Sequence, residues 1–294
     1  MSEQKNLFPS SFEIEGPNNR LVLGGSKLTV IAGPCALESL EHSLKIGKFM
    51  RGLTEKLGIQ YIFKGSFDKD GRSSPDSFHG VGLEKGLEIL ESVRNELGVP
   101  VTTDFSVASH AKELVGVVDL IQVPAYLCRQ TSILAAAAET GIPVHLKKGQ
   151  FMSPKNLRNS ARKLRAAGAQ SLLLTDRGSF FGYGDLVNDL RAQLDMAEIG
   201  VAGYDATHSI QQPTTSGNLS GGVRKYIPTL TRAAVAAGAS VLFMEVHDDP
   251  DSALGDPGTV LDLRHVEGIL NQSTRIHETI SELRSKMEIN PEIN

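Results

Sequence analysis

The chain has 294 residues, 40% of them hydrophobic, and carries a formal net charge of −4. This length suits one (β/α)8 barrel with a substantial core, and the acidic balance argues against a nucleic-acid partner bound through overall charge. Two cysteines are too few for a disulfide framework, and the sequence has neither the apolar segment of a signal peptide nor a run of about 18 apolar residues. We therefore expect a cytoplasmic protein that does not span a membrane.

The first 27 residues precede the first long apolar segment. Two short stretches on either side of 17–19 predict a β-hairpin, which we expect to close the bottom of a barrel. Eight apolar segments then alternate with amphipathic segments, and strands are predicted at 28–35, 60–66, 100–105, 120–125, 143–149, 171–178, 200–208 and 240–248. Such alternation is typical of βαβ units, and eight strands close a barrel. We interpret residues 1–294 as a single TIM-barrel domain with a C-terminal tail at 287–294.

Polar residues able to bind, ligate or transfer a proton stand at the carboxyl end of every predicted strand. In chain order they are Cys35, Lys64, Asp104, Gln122, Lys147 with Lys148, Arg177, Asp205 with His208, and Glu245 with His247. Active sites of (β/α)8 barrels lie at this face. Strand ends are also exposed to solvent, so one or two polar residues would carry no meaning, but a complete series favours a site.

Several cations occur close to these strand ends in an otherwise acidic chain. The segment FKGSFDKDGRSSP at 63–75 contains three of them, and the candidates for anion binding are Lys64, Lys69, Arg72, Lys148 and Arg177. Each one alone is compatible with an ordinary surface charge. Because lysine and arginine give charge-assisted hydrogen bonds to phosphate and carboxylate, their convergence indicates a ligand with more than one anionic group.

A second set has the chemistry of metal ligands: Cys35, His208, Glu245 and Asp256. Thiolate, imidazole and carboxylate suit a divalent ion such as Mn, Fe, Co or Zn. The first and eighth strands are neighbours in a closed barrel, which would let these residues meet. No local spacing of the CxxC kind supports the set, and Cys35 alone is equally compatible with a small buried apolar residue.

The segment 208–226 is long and rich in Gly, Ser and Thr. We predict that it forms a mobile lid at the barrel mouth, with a surface insertion as the alternative. A lid would exclude water from the site.

Seven features occur in the order found in one known family: VIAGPCALES, FKGSFDKDGRSSPDSF, IQVPAYLCRQT, VHLKKGQFMSP, DRGSFFGYGDLV, DATHS and the pair Glu245 and Asp256. Together they resemble the 3-deoxy-D-manno-octulosonate 8-phosphate (KDO8P) synthases over almost the whole chain. The resemblance implies condensation of phosphoenolpyruvate with arabinose 5-phosphate and water, with release of inorganic phosphate, in lipopolysaccharide biosynthesis. The related 3-deoxy-heptulosonate 7-phosphate (DAHP) synthases share AGPC but carry a different segment at the second strand.

The resemblance also implies a binding site for phosphoenolpyruvate. Its carboxylate end would be held by Lys64, Ser66, Lys69 and Gln122. Its phosphate would be held by Lys148, Arg177 and the backbone near Ala125. The residues implied at the reacting atoms are Cys35, Lys69, Asp104 and His208.

The second substrate and the metal are implied in the same way. Arg72 and Ser73 would hold the aldose phosphate, and Arg129 would reach it from a neighbouring subunit of a homotetramer. The metal-free branch of the family has asparagine where this chain has cysteine. The resemblance therefore implies the metal-dependent branch, with the ligands Cys35, His208, Glu245 and Asp256.

Three departures from the family pattern fall on the expected aldose side: Gly71 for asparagine, Gly149 for proline, and Phe105-Ser106 for His-Glu. They lead to the hypothesis that the chain uses a different or additional aldose phosphate, for example erythrose 4-phosphate in a DAHP synthase-like reaction. A non-catalytic phosphosugar sensor is the remaining alternative. Such a sensor would be expected to lack a metal ligand or an anion-binding residue, and none of these is missing from the sequence.

Overall fold

The structure is a computed structural model that describes residues 7–70, 77–212 and 221–286. The strands in these ranges are β1 (Phe12–Glu15), β2 (Arg20–Leu23), β3 (Thr29–Gly33), β4 (Gln60–Lys64), β5 (Val101–Asp104), β6 (Leu120–Val123), β7 (Val144–Lys147), β8 (Leu172–Asp176), β9 (Ser179–Gly182), β10 (Asp185–Val187), β11 (Val201–Asp205), β12 (Gln211–Gln212), β13 (Gly221–Gly222), β14 (Val241–His247) and β15 (Leu261–Asp262). The α-helices are α1 (Leu40–Leu57), α2 (Leu83–Leu97), α3 (Thr131–Glu139), α4 (Leu157–Ala166), α5 (Arg191–Ala197), α6 (Ile227–Ala236) and α7 (Leu263–Lys286).

Eight of the described strands form a closed parallel barrel in the order β3, β4, β5, β6, β7, β8, β11, β14. Strand β14 closes the barrel because it pairs with β11 on one side and with β3 on the other, where Phe243 lies opposite Ile31. The predicted barrel and all eight of its predicted strands are confirmed. Each observed strand ends before the predicted one, because the polar residues after it turn into the connecting loops.

Side chains of the barrel strands alternate between two environments, as the two-residue period of a strand requires. On β8, Leu172 and Leu174 belong to the apolar layer between the barrel and its helices, whereas Leu173 belongs to a smaller cluster inside the barrel. The inner faces of β3, β4, β6, β8, β11 and β14 likewise carry apolar residues of this inner cluster, whereas those of β5 and β7 do not. Near the carboxyl ends of the strands the inner face carries the polar residues of the site.

Helix α1 illustrates how the outer layer is fixed locally. The Ser39 hydroxyl caps its first turn by accepting a hydrogen bond from the His42 N–H at 3.1 Å, and Gly58 ends it in the left-handed conformation at φ 68°. Between these caps, Ile46, Met50 and Leu53 form the buried stripe that packs on the barrel. Among the described helices, none is both long enough and apolar enough to cross a membrane.

The N-terminal hairpin closes the bottom of the barrel, as predicted. Strands β1 and β2 pair antiparallel, with Phe12 opposite Leu23 and Ile14 opposite Leu21. These four apolar side chains are buried in one cluster with inward-facing residues at the beginnings of the barrel strands. The polar residues of β1 point the other way, to solvent.

Two hairpins at the other end were not predicted. Strands β9 and β10 form one from the segment DRGSFFGYGDLV, and β12 pairs with β13 inside the predicted lid segment. The central part of that segment, 213–220, lies outside the described residues, as do Gly71, Arg72, Ser73 and the predicted tail at 287–294. The lid therefore stays a prediction.

We expect Leu23→Ala to lower the free energy of unfolding by about 2–5 kcal/mol, because it removes a fully buried side chain and leaves a cavity under the barrel. The measurement is denaturant-induced unfolding followed by circular dichroism. Leu194→Ala is the matched control, since Leu194 is 59% exposed and its truncation should change stability by no more than about 0.5 kcal/mol. Equal effects of the two substitutions would contradict a structural role for the hairpin.

Candidate active site

A cavity of about 410 Å³ opens at the carboxyl ends of the barrel strands. Residues predicted to bind or ligate make up much of its lining, namely Lys64, Lys69, Asp104, Gln122, Ala125, Arg177, His208, Glu245 and Asp256. A larger cavity of about 860 Å³ lies beside α6 and α7, and no predicted site residue lines it. The smaller cavity is therefore the candidate active site.

Glu245 lies at the centre of this cavity and is completely buried. Its Oε1 atom accepts hydrogen bonds from Lys64 Nζ at 3.2 Å and from Lys69 Nζ at 3.3 Å. Burial alone would raise the pKa of this carboxyl, but the cations Lys69, His208 and Lys64 outweigh it and hold the pKa well below its usual range. Glu245 is thus ionised, and it holds two lysine ammonium groups at one side of the cavity.

Lys64 also connects the first two barrel strands to the third. Its Nζ donates to the Cys35 carbonyl at 3.1 Å and to Ser66 Oγ at 2.6 Å, and the Ser66 hydroxyl donates in turn to Asp104. Burial opposes the ionised form of Asp104, but the nearby ammonium groups of Lys64 and Lys69 lower its pKa overall. A single hydrogen-bonded chain therefore joins Glu245, Lys64, Ser66 and Asp104.

Four possible metal ligands converge beside this chain. Donor atoms of Cys35, Glu245 and Asp256 all lie within 4.8 Å of one another. His208 Nε2 is 3.5 Å from Glu245 Oε2 and 3.9 Å from Asp256 Oδ2, which brings the imidazole to the same point. The predicted set is therefore assembled in space, although its members come from β3, β14 and the loops after β11 and β14.

Three observations show that this donor set fits a divalent ion. Glu245 Oε2 is buried and has no hydrogen-bond partner among the described residues, although the other oxygen of the same carboxylate has two. The backbone at Gly255 lies directly against the thiol, since a Cβ atom there would be 2.5 Å from Cys35 Sγ. Burial raises the pKa of the Cys35 thiol to about 12, and a bound cation is the usual means of ionising such a thiol.

Asp205 links the imidazole of this cluster to a lysine on the opposite wall. Its Oδ2 atom is 2.9 Å from His208 Nδ1 and accepts a hydrogen bond from Lys147 Nζ at 2.7 Å. A carboxylate at Nδ1 leaves Nε2 facing the cluster, which is the arrangement that carboxylates commonly impose on metal-binding histidines. Burial disfavours the charge of Asp205, but His208 and Lys147 outweigh it and lower its pKa.

Lys147 lines the cavity, although the sequence interpretation assigned it to no substrate. Its ammonium lies 3.2 Å from the centre of the Phe243 ring and faces the cavity, whereas the predicted Lys148 does not line the cavity. Lys148 is fully buried on the outer side of the barrel, where its Nζ donates to the Gly178 carbonyl at 2.8 Å and pairs with Asp176 at 3.2 Å. Lys148 therefore does not face the described cavity, and its role as a phosphate ligand stays a prediction.

The signal that distinguishes the two lysines was present in the sequence. In β7, Val144 and Leu146 face the helices, so His145 and Lys147 face the barrel interior and Lys148 follows on the outer side. Burial lowers the pKa of Lys147 to about 8, although the carboxylate of Asp205 opposes the shift. Lys147 is therefore a cation whose charge is only moderately stable at neutral pH.

The wall between Lys147 and Asp104 supplies further polar groups. The Gln122 side chain is buried, and its Oε1 atom has no hydrogen-bond partner among the described residues. Arg177 is likewise buried, donates to Gln211 Oε1, and has an Nε atom without a partner in the same part of the chain. Buried polar atoms are rarely left unpaired, so these groups are suited to a polar ligand.

The remaining predicted residues lie apart from this cavity or outside the described ranges. Arg129 is exposed and does not line the cavity of its own chain. Among the departures from the family pattern, Phe105 and Ser106 line the cavity, whereas Gly149 lies under the Phe151 ring, 2.7 Å from where a Cβ atom would be. Of the three departures, the Phe105-Ser106 pair therefore alters the wall of the described cavity.

Comparison with known proteins agrees with these observations. Residues 12–282 match the DAHP synthetase I family. The chain is 47% identical over 259 residues to the 2-dehydro-3-deoxyphosphooctonate aldolase of Synechococcus sp., covering 88% of this chain and 91% of that protein. Proteins with the same name from Koribacter versatilis and Rickettsia typhi are each 45% identical, over 88% and 86% of this chain and 94% and 93% of their own lengths. The chain therefore belongs to the DAHP synthetase I family and, within it, to the 2-dehydro-3-deoxyphosphooctonate aldolases.

Proposed function

We propose that this chain condenses phosphoenolpyruvate with arabinose 5-phosphate and water, giving KDO8P and inorganic phosphate, which is the synthetic reaction of a 2-dehydro-3-deoxyphosphooctonate aldolase. The observation that carries the proposal is the cavity itself. Lysines and an arginine suited to anionic substrates share it with a convergent set of thiol, imidazole and carboxylate donors. The family of the chain supports the same reaction.

Phosphoenolpyruvate is proposed to bind in the deep part of the cavity. Its carboxylate end is assigned to Lys64, Ser66, Lys69 and Gln122. Its phosphate is assigned to Arg177, the backbone near Ala125, and Lys147 in place of Lys148. Held by cations on two sides, the substrate would be oriented with its C3 carbon toward the barrel mouth, and such positioning removes much of the entropic barrier.

The aldose phosphate is proposed to bind nearer the mouth. Arg72 and Ser73 are assigned to its phosphate, with Arg129 reaching it from a neighbouring subunit of a homotetramer. Arg129 is exposed and does not line the cavity of its own chain, which is consistent with action on another subunit. This part of the proposal derives from the family resemblance.

A divalent ion is proposed to be held by Cys35, His208, Glu245 and Asp256, as in the metal-dependent branch of the family. When bound, it would supply Lewis acidity for the aldehyde oxygen or for the attacking water. The protein's own part is to present an ionised Glu245 and a His208 whose Nδ1 is engaged by Asp205.

The reaction forms one C–C bond and one C–O bond from water, and it breaks the C–O bond between C2 and the phosphate. The C3 carbon of phosphoenolpyruvate attacks the aldehyde carbon, water adds at C2, and phosphate leaves from C2. Lys69 stays protonated, because burial, which lowers its pKa, is outweighed by the carboxylates of Glu245, Asp104 and Asp256, which raise it. Its ammonium can therefore donate to the oxygen anion that develops on the aldehyde carbon, while the ionised Asp104 orients Ser66 and Lys64 against the substrate carboxylate.

A second candidate is a related synthase that uses another aldose phosphate. Phe105 and Ser106 favour it, because they replace a charged pair of the family pattern in the cavity wall. A non-catalytic sensor would bind the same sugars but release no phosphate.

We expect rapid phosphate release when phosphoenolpyruvate and arabinose 5-phosphate are mixed with the protein. The measurements are a coupled phosphate assay and the mass of the product, which should be that of an eight-carbon sugar phosphate. Parallel reactions with erythrose 4-phosphate, and without any aldose, are the controls. A clear preference for erythrose 4-phosphate would show that the chain is a synthase for another aldose phosphate. Absence of phosphate release from every substrate pair would favour the non-catalytic sensor.

Removal of the metal should abolish phosphate release, and Mn, Co or Zn should restore it. Cys35→Asn is expected to reduce the bound metal per chain and to weaken the dependence on added ion, because it removes the thiolate donor. Cys128→Ala is the matched control, since Cys128 is the other buried cysteine and contacts Met152 at 3.3 Å, away from the cavity. Unchanged metal content in Cys35→Asn, measured by mass spectrometry, would count against the ligand set.

Lys147→Met and Lys148→Met should differ although the lysines are adjacent. The first removes a charged phosphate donor worth about 1.5–3 kcal/mol, so KM for phosphoenolpyruvate should rise roughly 10- to 100-fold, with a loss of stability because the buried Asp205 also loses its lysine. The second leaves Asp176 buried and unpaired, which should cost about 3–5 kcal/mol of stability and leave KM near the wild-type value. The opposite pattern would return the phosphate role to Lys148.

The pH profile gives a further readout of the same residue. Lys147 must carry its proton to bind phosphate, so kcat/KM for phosphoenolpyruvate should fall as the pH rises through about 8. This fall should be absent from Lys147→Met.

A further inference from the structure

A second cluster of ionisable side chains lies next to the cavity but does not line it. Glu38 follows β3, His42 stands in the first turn of α1, and His247 and Asp248 follow from β14. Ligand atoms of Glu38, His42 and His247 lie within 4.8 Å of one another, which is also compatible with a metal site. The hydrogen bonds decide between an ion and a purely structural contact.

Glu38 is bonded to the loop that carries Asp256. Its Oε1 atom accepts a hydrogen bond from the Leu254 N–H at 3.0 Å, two residues before Asp256. Glu38 itself lies three residues after Cys35. One carboxylate thus joins the two segments that supply the thiol and the carboxylate of the proposed metal site, and Gly255 between them lies against the thiol.

The tautomer of His247 argues against an ion in this second cluster. Its Nδ1 atom accepts a hydrogen bond from the Asp249 N–H at 2.9 Å, so the neutral ring carries its proton on Nε2. That Nε2 atom is 3.4 Å from Glu38 Oε1, and protonated nitrogen cannot ligate a metal. The Nε2 atom thus faces the Glu38 carboxylate without a well-aligned hydrogen bond, and the ring lies beside this carboxylate on the side of β14.

His42 completes the support from the helix side. Its ring packs on that of His247 with centroids 4.4 Å apart, its Nδ1 is 3.8 Å from Glu38 Oε2, and its Nε2 is 3.0 Å from Asp248 Oδ1. Asp248 is held in turn by Lys45 Nζ at 2.5 Å. The Glu38 carboxylate is thus flanked by two imidazoles, and one of these is fixed by an ion pair.

We propose that Glu38 is a positioning residue that ties the 249–256 loop to the 34–38 segment and so sets the separation of Cys35 and Asp256. The effect on metal binding rests on the proposed function. The connection between the two segments does not depend on the proposed function, because every contact in it is made by the protein alone. Glu38 does not line the cavity, so it acts on the metal site through the backbone at Leu254 and Gly255.

The test compares Glu38→Ala with Glu38→Gln in the full chain. Glu38→Ala removes the acceptor for the Leu254 N–H, so amide hydrogen exchange at 252–256 in the metal-free protein should become about tenfold faster. Exchange in the β1–β2 hairpin should not change. Glu38→Gln retains an acceptor oxygen and should restore most of the protection. Glu41→Ala is the matched control, because Glu41 is an exposed carboxylate in the same helical turn as His42.

Metal affinity is the second readout. Titration with Co²⁺, followed by the thiolate charge-transfer absorbance, should give a dissociation constant about 10- to 100-fold higher for Glu38→Ala, with Glu38→Gln between it and the wild type. Wild-type protein should bind one equivalent. Cys35→Ala with an intact second cluster should retain none.

Three results would overturn the proposal. Unchanged exchange at 252–256 in Glu38→Ala would show that the carboxylate does not hold the loop. A metal equivalent retained by Cys35→Ala and lost on adding His42→Ala would show that the cluster is itself a metal site. Exchange that increases throughout the chain in both Glu38→Ala and His42→Ala would show a general loss of stability instead of a local tie. If the wild type binds no Co²⁺, the proposed metal site fails, and the exchange experiment still decides the role of Glu38.

Discussion

The interior of the barrel depends on a balance of buried charges at its carboxyl end. Glu245 and Asp205 are fully buried. Two lysines compensate Glu245 at hydrogen-bond distance, and Lys147 compensates Asp205. Removing one member of such a pair leaves an uncompensated charge that the interior cannot solvate. The lysines proposed to bind the anionic substrate are therefore also the groups that keep the carboxylates of Glu245 and Asp205 ionised. Binding and stability are consequently carried by the same contacts.

Much of this arrangement could be predicted because it follows from strand periodicity. Closure into eight strands, the plug at the bottom and the convergence of Cys35, His208, Glu245 and Asp256 all follow once eight apolar segments are assigned to a parallel barrel. The polar residues at strand ends then have only one face on which to meet. Family resemblance added roles to these residues, whereas the geometry of the fold brought them together.

The features that the sequence interpretation missed have physical reasons as well. Adjacent lysines are equivalent in composition, and only the alternation along β7 places Lys147 inside and Lys148 outside. The β9–β10 hairpin escaped prediction because its turn uses Phe181 and Tyr183 at positive φ, where glycine would ordinarily be expected. The bond from Leu254 to Glu38 joins residues 216 positions apart, and no local pattern reports such a contact.

The hairpin beneath the barrel limits the route by which substrates and products reach and leave the cavity. Because Phe12, Ile14, Leu21 and Leu23 fill the lower end, the described part of the barrel offers no passage downward, and reactants and products share the upper opening. A substrate bound at the level of Gln122 and Glu245 is then covered by the substrate that binds after it, nearer the opening. The substrate that binds deeper in the cavity must therefore enter before the substrate that binds above it.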